Sequence, residues 1–593
     1  MCGILAVYSK SGFLNLEDCK RATDKIFSRG PDYNFSDFYI DGKLYLSQTV
    51  LSITGDPSLN SSYRQSNNGR FEILFNGETY NHKNLQNNFL DVTGNKNISG
   101  TDTETFVNLH EVMTPNKVFK NIEGMFAYIL FDKESGELII GRDMIGEKVI
   151  YKYEDQNIFI ISSQIGPILE LVPEIKVDKD ILREYFFTRH LLTPKNTIYK
   201  NLVTFQPGVL AKLNLDENKY YVLDERLPSS LINEKLIYSR QNEDIDNLTE
   251  ELKSVFLENA IQLTQDSSFM SVFSGGIDSS IASKFSWSVN DQSPNLIILQ
   301  FPGKDDVASQ IKKFGGLVNK NIINMTVTPE LFSEFADECY QAIAMPFPTH
   351  HFISQAILAR KVRENNFKVL LTGDGGDELF GGYEFYKKLQ QNLNSNYDKE
   401  TNPSIYSGIY DLGFKFNGWD YQNLLSNSNE MWTDTLKLFN HLDNYEKYIQ
   451  SILYLDYTLQ LESVGIRASD TMTMMSSVES RGFFLTEKIM KFAFNLPAKF
   501  KIDMFAENVD EITRPLMKNL FKKEFSEDLL FPKQGFSGYP NESLQDLVDK
   551  DFKFSKEFLE ITEIPSLEGQ DEIAAKWKLI NVEYFLKSFE KFL

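Results

Sequence analysis

A cysteine stands at position 2, in Met1-Cys2-Gly3-Ile4. If Met1 is removed, Cys2 carries a thiol and a free α-amine on one carbon. That amine has a pKa of about 7.7–8.0, so part of it is unprotonated near neutrality and can take the thiol's proton. A nucleophile supplied with its own base is an activated nucleophile. Taken alone, the position equally suits a small buried thiol at a strand start. Asn76-Gly77 alone is a hairpin turn signal, and Asp102 alone an N-cap for a helix over Thr105–Val112.

A second group of reactive residues is glycine-rich. In Val272-Phe273-Ser274-Gly275-Gly276-Ile277-Asp278-Ser279-Ser280 an apolar strand, Phe269–Phe273, runs into a turn, and a helix is expected from near Ser280. Successive N–H groups at such a turn, with a helix N-terminus behind them, form an anion site. Ser274, Ser279 and Ser280 add hydroxyl donors, and Asp278 can hold Mg²⁺ beside a polyphosphate. No lysine lies in the turn, which excludes a Walker loop. The plainer reading is a strand–helix turn that needs its glycines for shape. A second loop follows the apolar run Lys368–Thr372. Gly373-Asp374-Gly375-Gly376-Asp377-Glu378 and Gly381-Gly382 put carboxylates and glycines at one strand exit, material for metal and phosphate rather than for packing.

Two kinds of scaffold must position these residues. Up to about residue 215 the pattern is short strands: Ile4–Tyr8, Leu44–Leu46, Phe71–Phe75, Phe126–Phe131, Leu138–Gly141 and Ile158–Ser162. A helix is expected over Leu16–Phe27, with Cys19 as a buried structural thiol. Pro207-Gly208 reads as the close of the last strands. From Leu248 a helical period resumes through Leu252, Val255, Phe256 and Ala260. Apolar strands of the buried parallel kind, Leu296–Phe301 and Lys368–Thr372, then alternate with helices over Val307–Phe314 and Ile353–Val362. The boundary is placed so that residues 1–229 form one domain and 230–593 another.

Bulk properties narrow the function. The formal net charge of −22 argues against a general nucleic-acid surface and against anionic membranes. Three cysteines, Cys2, Cys19 and Cys339, make no disulfide framework and point to a reducing cytoplasm. No run approaches the roughly 18 apolar residues of a membrane span. His350-His351 reads as a surface or core pair.

Taken together, the motifs of the first region resemble the glutaminase domain of class II, N-terminal-nucleophile glutamine amidotransferases. The matching residues are Met1-Cys2-Gly3-Ile4, Arg29-Gly30-Pro31-Asp32, Asn76-Gly77-Glu78 with Tyr80-Asn81, Asp102, Glu123-Gly124-Met125-Phe126-Ala127 and Gly141-Arg142-Asp143. The resemblance implies an αββα fold in which Cys2 attacks the glutamine amide and its α-amine shuttles the proton. Asn76 and Gly77 would hold the oxyanion, and Asp102 would pair with the glutamine α-ammonium. Val50, Leu51, Asn76, Gly77, Glu78 and Asp102 would line the glutamine site. Two residues depart from the pattern. Val50 stands where the family has an arginine that clamps the glutamine carboxylate, and valine cannot make that contact. Either glutamine binds weakly or another cation, such as Arg64, compensates. Ser28 stands where the family often has histidine.

The second region resembles the asparagine synthetase family, whose Ser-Gly-Gly-x-Asp-Ser loop belongs to ATP-pyrophosphatases on a parallel α/β sheet with a helical C-terminal part. The resemblance places Val272, Ser274, Gly275, Gly276, Asp278, Ser279, Ser280, Leu299 and Gly373 at ATP, and Mg²⁺ at Asp278 and Asp377. Asp374 would deprotonate the incoming amine, and Lys533, in Phe531-Pro532-Lys533-Gln534-Gly535-Phe536, would contact phosphate. Arg467 and Asp470, leading through Met474 and Ser477 to Glu479-Ser480-Arg481, match a helical family segment. The acceptor patch departs from the family in Met345-Pro346-Phe347-Pro348-Thr349-His350-His351-Phe352, at Thr471 and at Gly482–Thr486.

The implied activity is ATP-dependent, glutamine-hydrolysing amidation of a carboxylate, with aspartate as acceptor. A sugar acid or peptide carboxylate is the alternative. A non-catalytic scaffold is the rival of another class, supported only by Val50. Glutamine, ATP and the acceptor are the expected partners, with no nucleic acid and no membrane. A homodimer stays open.

Overall fold

The computed structural model describes residues 2–55, 63–94, 97–187, 197–265, 267–289, 295–301, 314, 321–347, 349–387, 426–530, 548, 551–561 and 572–593. Pro348, Lys533 with its motif 531–536, and the helix expected over Val307–Phe314, Phe314 itself apart, lie outside them.

The first region is built from β1 (Cys2–Ser9), β2 (Tyr33–Tyr39), β3 (Leu44–Val50), β4 (Phe71–Thr79), β5 (Gly124–Asp132), β6 (Glu137–Arg142), β7 (Tyr151–Glu154), β8 (Ile158–Ser162), β9 (Leu202–Thr204), β10 (Val209–Asn214) and β11 (Lys219–Glu225). They form two antiparallel sheets, of order β2-β3-β1-β8-β7-β9 and β11-β10-β6-β5-β4. Every residue of β1 is buried, because both of its faces are covered. Ile4, Ala6 and Tyr8 point between the sheets, against Leu46, Ile129 and Phe131. Leu5 and Val7 point the other way, into a core shared with Cys19, Ala22 and Ile168 of two outer helices. On β4 the same period of two turns Leu74 inward and puts Ile73 and Phe75 under Phe106 and Leu109 of helix Asp102–Val112. The result is the four-layer αββα arrangement.

Several expected bounds change. The long helix over Leu16–Phe27 is a helix Leu16–Asp24 followed by a 3₁₀ turn, Phe27–Arg29. Pro207-Gly208 opens the last hairpin rather than closing it: β10 and β11 follow and pair. Asp102 is the first residue of its helix and not the cap. The cap is Thr101, whose hydroxyl accepts from Glu104 N.

The second region holds one parallel sheet, from β12 (Phe269–Val272), β13 (Asn295–Gln300), β14 (Asn321–Thr326), β15 (Val369–Thr372) and β16 (Glu479–Gly482), in the order β14-β13-β12-β15-β16. The chain leaves β12 toward β13 on one side and later returns to β15 on the other. Between β12 and β15 the order reverses, and ligands bind at the carboxyl ends of such a pair. The helix after β12 spans Ile277–Ser288 and begins three residues before the expected start, so Asp278 sits in its first turn. Glu479-Ser480-Arg481, expected to be helical, is the edge strand β16. The helix ends earlier, as Arg467–Met474.

Candidate active sites

Cys2 and Asn76 meet because both lie on inward-facing strand positions of opposing sheets. Cys2 shares the parity of Ile4 on β1, and Asn76 that of Leu74 on β4. Cys2 N donates to Asn76 Oδ1 at 3.0 Å. The Asn76 amide is thereby oriented, and its Nδ2 is a buried donor with no hydrogen-bond partner. A buried unpaired donor beside a thiol fits an oxyanion site. Gly77 follows at φ 153°, where an added Cβ would run into the Met125 carbonyl oxygen, so only glycine lets β4 lie this close to β5.

Sequence reasoning missed Gln48. It lies on the inward parity of β3, where Leu44 and Leu46 are apolar, and this polar interruption is the signal that could have exposed it. Gln48 Nε2 donates to Phe75 O at 2.9 Å, and Phe75 N donates back to Gln48 Oε1 at 3.3 Å. The pair ties the two sheets together one residue before Asn76. Asp102 is buried, with Oδ2 accepting from Thr79 N and Oδ1 from Thr103 N, both at 2.8 Å. Burial raises its carboxyl above the usual range, against those two hydrogen bonds. Burial also pushes the Cys2 thiol up, against the nearby amino terminus, the Gln48 side chain and the Leu51 backbone.

Val50 faces Cys2 across the β1–β3 ladder and is buried in the inter-sheet core, with Leu51 buried beside it. Arg64, the cation expected as a substitute clamp, is engaged in contacts within the fold. Its guanidinium is committed to Glu72 and, at 2.6 Å, to Asp37, and it lies over the Phe35 ring.

The thiol site is tied to the second region by buried charges. Arg29 donates from Nε to Cys2 O at 3.0 Å and from Nη2 to both oxygens of Asp470, at 3.1 and 2.9 Å. Glu78, next to Gly77, faces Arg481 at 3.6 Å, and Arg481 also pairs with Glu479 at 2.6 Å. Arg142 reaches Glu462 at 3.1 Å.

At the second site the two loops abut. Val272 ends β12, and Leu299 lies on neighbouring β13. Ser274 N donates to Ser279 Oγ at 3.1 Å, and the two hydroxyls lie 2.9 Å apart, which closes the Gly275-Gly276 turn on itself. A Cβ at Gly373 would stand 3.1 Å from Ser279 N, and one at Gly376 would stand 2.5 Å from Asp278 Oδ1. These glycines let the loops bring Asp278 and Asp377 together. Asp278 Oδ1 is buried without a hydrogen-bond partner, an acceptor suited to a cation. Among the described residues no group of three or more His, Cys, Asp or Glu is gathered for a metal. Two carboxylates fit Mg²⁺, which completes its shell with water and phosphate oxygens.

Asp374 accepts at Oδ2 from Thr372 Oγ1 at 2.8 Å and from Ser469 Oγ at 2.7 Å, and Gln355 Nε2 donates to that serine at 3.3 Å. Burial raises the Asp374 carboxyl, with the Asp278 charge adding to the effect and the two hydroxyls opposing it. Ser469, Gln355 and Arg514, which pairs with Asp278 at 2.8 Å, were invisible to sequence reasoning because only the tertiary fold brings them here.

Comparison with known proteins agrees with both halves. A glutamine amidotransferase domain model matches residues 1–222, and an asparagine synthase model matches residues 256–560. The chain belongs to the asparagine synthase family. Asparagine synthetase 3 (glutamine-hydrolyzing) of Bacillus subtilis is 22% identical over 578 residues, covering 91% of this chain and 87% of its own. A provisionally named asparagine synthetase 2 of Methanocaldococcus jannaschii is 29% identical over 404 residues, covering 65% of this chain and 76% of its own. A glutamine phosphoribosylpyrophosphate amidotransferase structure from B. subtilis, complexed with ADP and GMP, covers 55% of this chain and 81% of its own. Its TM-score of 0.29 and 13% identity are too low to carry an argument. As a member of the family the chain is a glutamine-hydrolysing carbon–nitrogen ligase. Among the described residues no helix is long and apolar enough to cross a membrane.

Proposed function

We propose that this ligase converts aspartate to asparagine through an acyl-AMP intermediate, in the cytoplasm, with residues 1–229 supplying ammonia and 230–593 consuming it. The observation that carries the reading is helix Arg467–Met474, which touches both sites: Asp470 holds Arg29, and Arg29 holds the Cys2 carbonyl, while Ser469 holds Asp374.

With Met1 removed, Cys2 Sγ attacks the glutamine amide carbon, and the thiol proton passes through the Cys2 amine to the leaving ammonia. Asn76 Nδ2 and Gly77 N–H hold the oxyanion, and Asp102 and Glu78 line the amino-acid end with Val50 and Leu51. Water then releases glutamate. In the second site Val272, Ser274, Gly275, Gly276, Ser279, Ser280, Leu299 and Gly373 hold ATP. Mg²⁺, when bound at Asp278 and Asp377, neutralises triphosphate charge. A carboxylate oxygen attacks the α-phosphorus as the bond to pyrophosphate breaks, with Lys533 at the leaving phosphates. Asp374 takes a proton from the amine that attacks the acyl carbon, and AMP leaves. A buried route between the sites keeps ammonia unprotonated.

A second reading keeps the chemistry and changes the acceptor to a sugar acid or peptide carboxylate. It is favoured by the side chains that hydrogen-bond around Asp374. Among the described residues these are Thr372 and Ser469, with Gln355 beyond, and none is a cation for an amino-acid carboxylate.

The experiment is to supply ATP, Mg²⁺ and glutamine with a panel of carboxylates and to follow AMP and pyrophosphate. Aspartate-dependent AMP with asparagine formed supports the first reading. AMP release that ignores aspartate and follows another acid replaces it with the second.

A further inference from the structure

The two carboxylates read as the cation site already hold a cation of the chain's own. Arg514 donates from Nη1 to Asp278 Oδ2 at 2.8 Å and pairs through Nη2 with Asp377 Oδ1, so one guanidinium spans both loops. The residue is buried. Its backbone is fixed in an unusual way. Arg514 has φ 58° and ψ 43° directly before Pro515, where extended backbone is the rule, and its N–H donates to Lys501 O at 2.8 Å. The strained turn sets the start of helix Pro515–Glu524 and aims the side chain back at the strand exits. Gly382 makes room for it, since any Cβ there would run into the guanidinium. Lys518, one turn further along, has its ammonium pushed down to about 8 by burial and by neighbouring Lys387 and Arg514. The Asp510 and Glu384 carboxylates oppose that shift.

We propose that Arg514 is a placeholder for the divalent cation: it holds Asp278 and Asp377 together and excludes a bare metal ion until nucleotide arrives, then turns to the phosphate oxygens. The physical reason is competition for the same acceptors. Asp278 and Asp377 are half-buried, and two carboxylates held this close without a counter-charge repel each other, so a guanidinium with bidentate reach stabilises the pair. A metal ion alone must displace that guanidinium with no new partner for it. A metal ion arriving with a polyphosphate brings that partner with it.

The inference rests on the reading of Asp278 and Asp377 as the cation site, and the test separates the two. Mn²⁺ binding to the full-length protein is followed by the loss of its free electron-paramagnetic-resonance signal, with and without ATP. Wild type is expected to bind Mn²⁺ weakly without nucleotide and tightly with it. Arg514→Gln is expected to bind Mn²⁺ without nucleotide about tenfold more tightly than wild type, the charge competitor being gone. Arg514→Lys, which keeps the charge, is expected to exclude the bare ion as wild type does, and circular dichroism checks that each variant is folded. Equal nucleotide-free affinity in wild type and Arg514→Gln overturns the placeholder role while leaving the cation site standing. Mn²⁺ binding with ATP that survives Asp278→Asn with Asp377→Asn overturns the cation site and the placeholder together.

Discussion

Ser469 and Asp470 are consecutive residues on one helix and serve different sites. Ser469 Oγ donates to Asp374 at the carboxyl end of the parallel sheet, while Asp470 accepts from Arg29, which holds the Cys2 carbonyl. Adjacent helical positions point about 100° apart, so a single turn can face two cavities. Arg29 and Asp470 are 441 residues apart in sequence, and both are buried. Asp470→Asn leaves the Arg29 charge without its counter-ion, and breaking such a pair costs about 3–5 kcal/mol. The expected outcome is a lower melting temperature and a larger loss of glutamine-dependent than of ammonia-dependent product. Ser469→Ala is expected to do the reverse: both nitrogen sources lose activity together, because the role proposed for Asp374 lies in the half-reaction that both share. Steady-state assays with each donor decide between these patterns.

Asn76 Nδ2 is the clearest electrostatic element of the thiol site, a buried donor already oriented by the Cys2 N to Oδ1 hydrogen bond. Removing one oxyanion donor typically costs about 10²–10³ in rate. Asn76→Ala should therefore lower glutamine hydrolysis by about that factor while ammonia-dependent synthesis persists. Cys2→Ala should abolish glutamine use and spare ammonia. Loss of ammonia-dependent synthesis in either variant would mean that the two halves do not divide the labour in this way.

Much of this arrangement is legible in the order of residues alone. The alternation on β1 and β4 sets Cys2 and Asn76 facing inward, and the two glycine-rich loops fall after apolar strands that prove to be neighbours. The rest depends on contacts between distant segments. Arg514 lies 236 residues from Asp278, and nothing in its own neighbourhood marks it. Glu479-Ser480-Arg481 is expected to be helical only because it matches a helical family segment. It is a strand because β15 offers a parallel edge and because the Arg481 charge is satisfied by Glu479 and Glu78. Asp102 reads as a cap because Asp favours that position. Thr101 takes it instead, which leaves the Asp102 carboxylate to receive the Thr79 and Thr103 amides.

Arg64 offers a test of the missing carboxylate clamp. Its pairs with Asp37 and with fully buried Glu72 assign it to the fold. Arg64→Met should destabilise the protein by about 1.5–3 kcal/mol, the loss of a charge-assisted contact, since Glu72 keeps Lys133 at 3.1 Å and the Tyr39 and Gln65 donors. The KM for glutamine should stay unchanged. A rise in KM with stability intact would make Arg64 the substitute for the arginine that Val50 replaces.

His110 makes the acid side of stability testable. It sits on helix Asp102–Val112 among Phe71, Phe106 and Tyr128, with Nδ1 3.0 Å from Phe106 O and Nε2 buried without a hydrogen-bond partner. Burial pushes its pKa down from 6.5 to about 4, with the Phe106 hydrogen bond opposing the shift. Above pH 6.5 neither the folded nor the unfolded chain protonates this ring, and it contributes no pH dependence. Between pH 6.5 and about 4 the unfolded chain takes up a proton that the folded chain refuses, so stability falls as pH falls. The full loss over that window is about 3 kcal/mol, at about 1.4 kcal/mol for each pH unit. Below about pH 4 both states are protonated and the loss stops growing. His110→Phe removes the titrating group and keeps an aromatic ring in an aromatic cluster, though it gives up the hydrogen bond to Phe106 O. Denaturant melts from pH 7 to pH 4 should show the wild-type stability falling relative to the variant. Parallel curves for the two proteins would show that the imidazole titrates as freely in the folded chain as in the unfolded one.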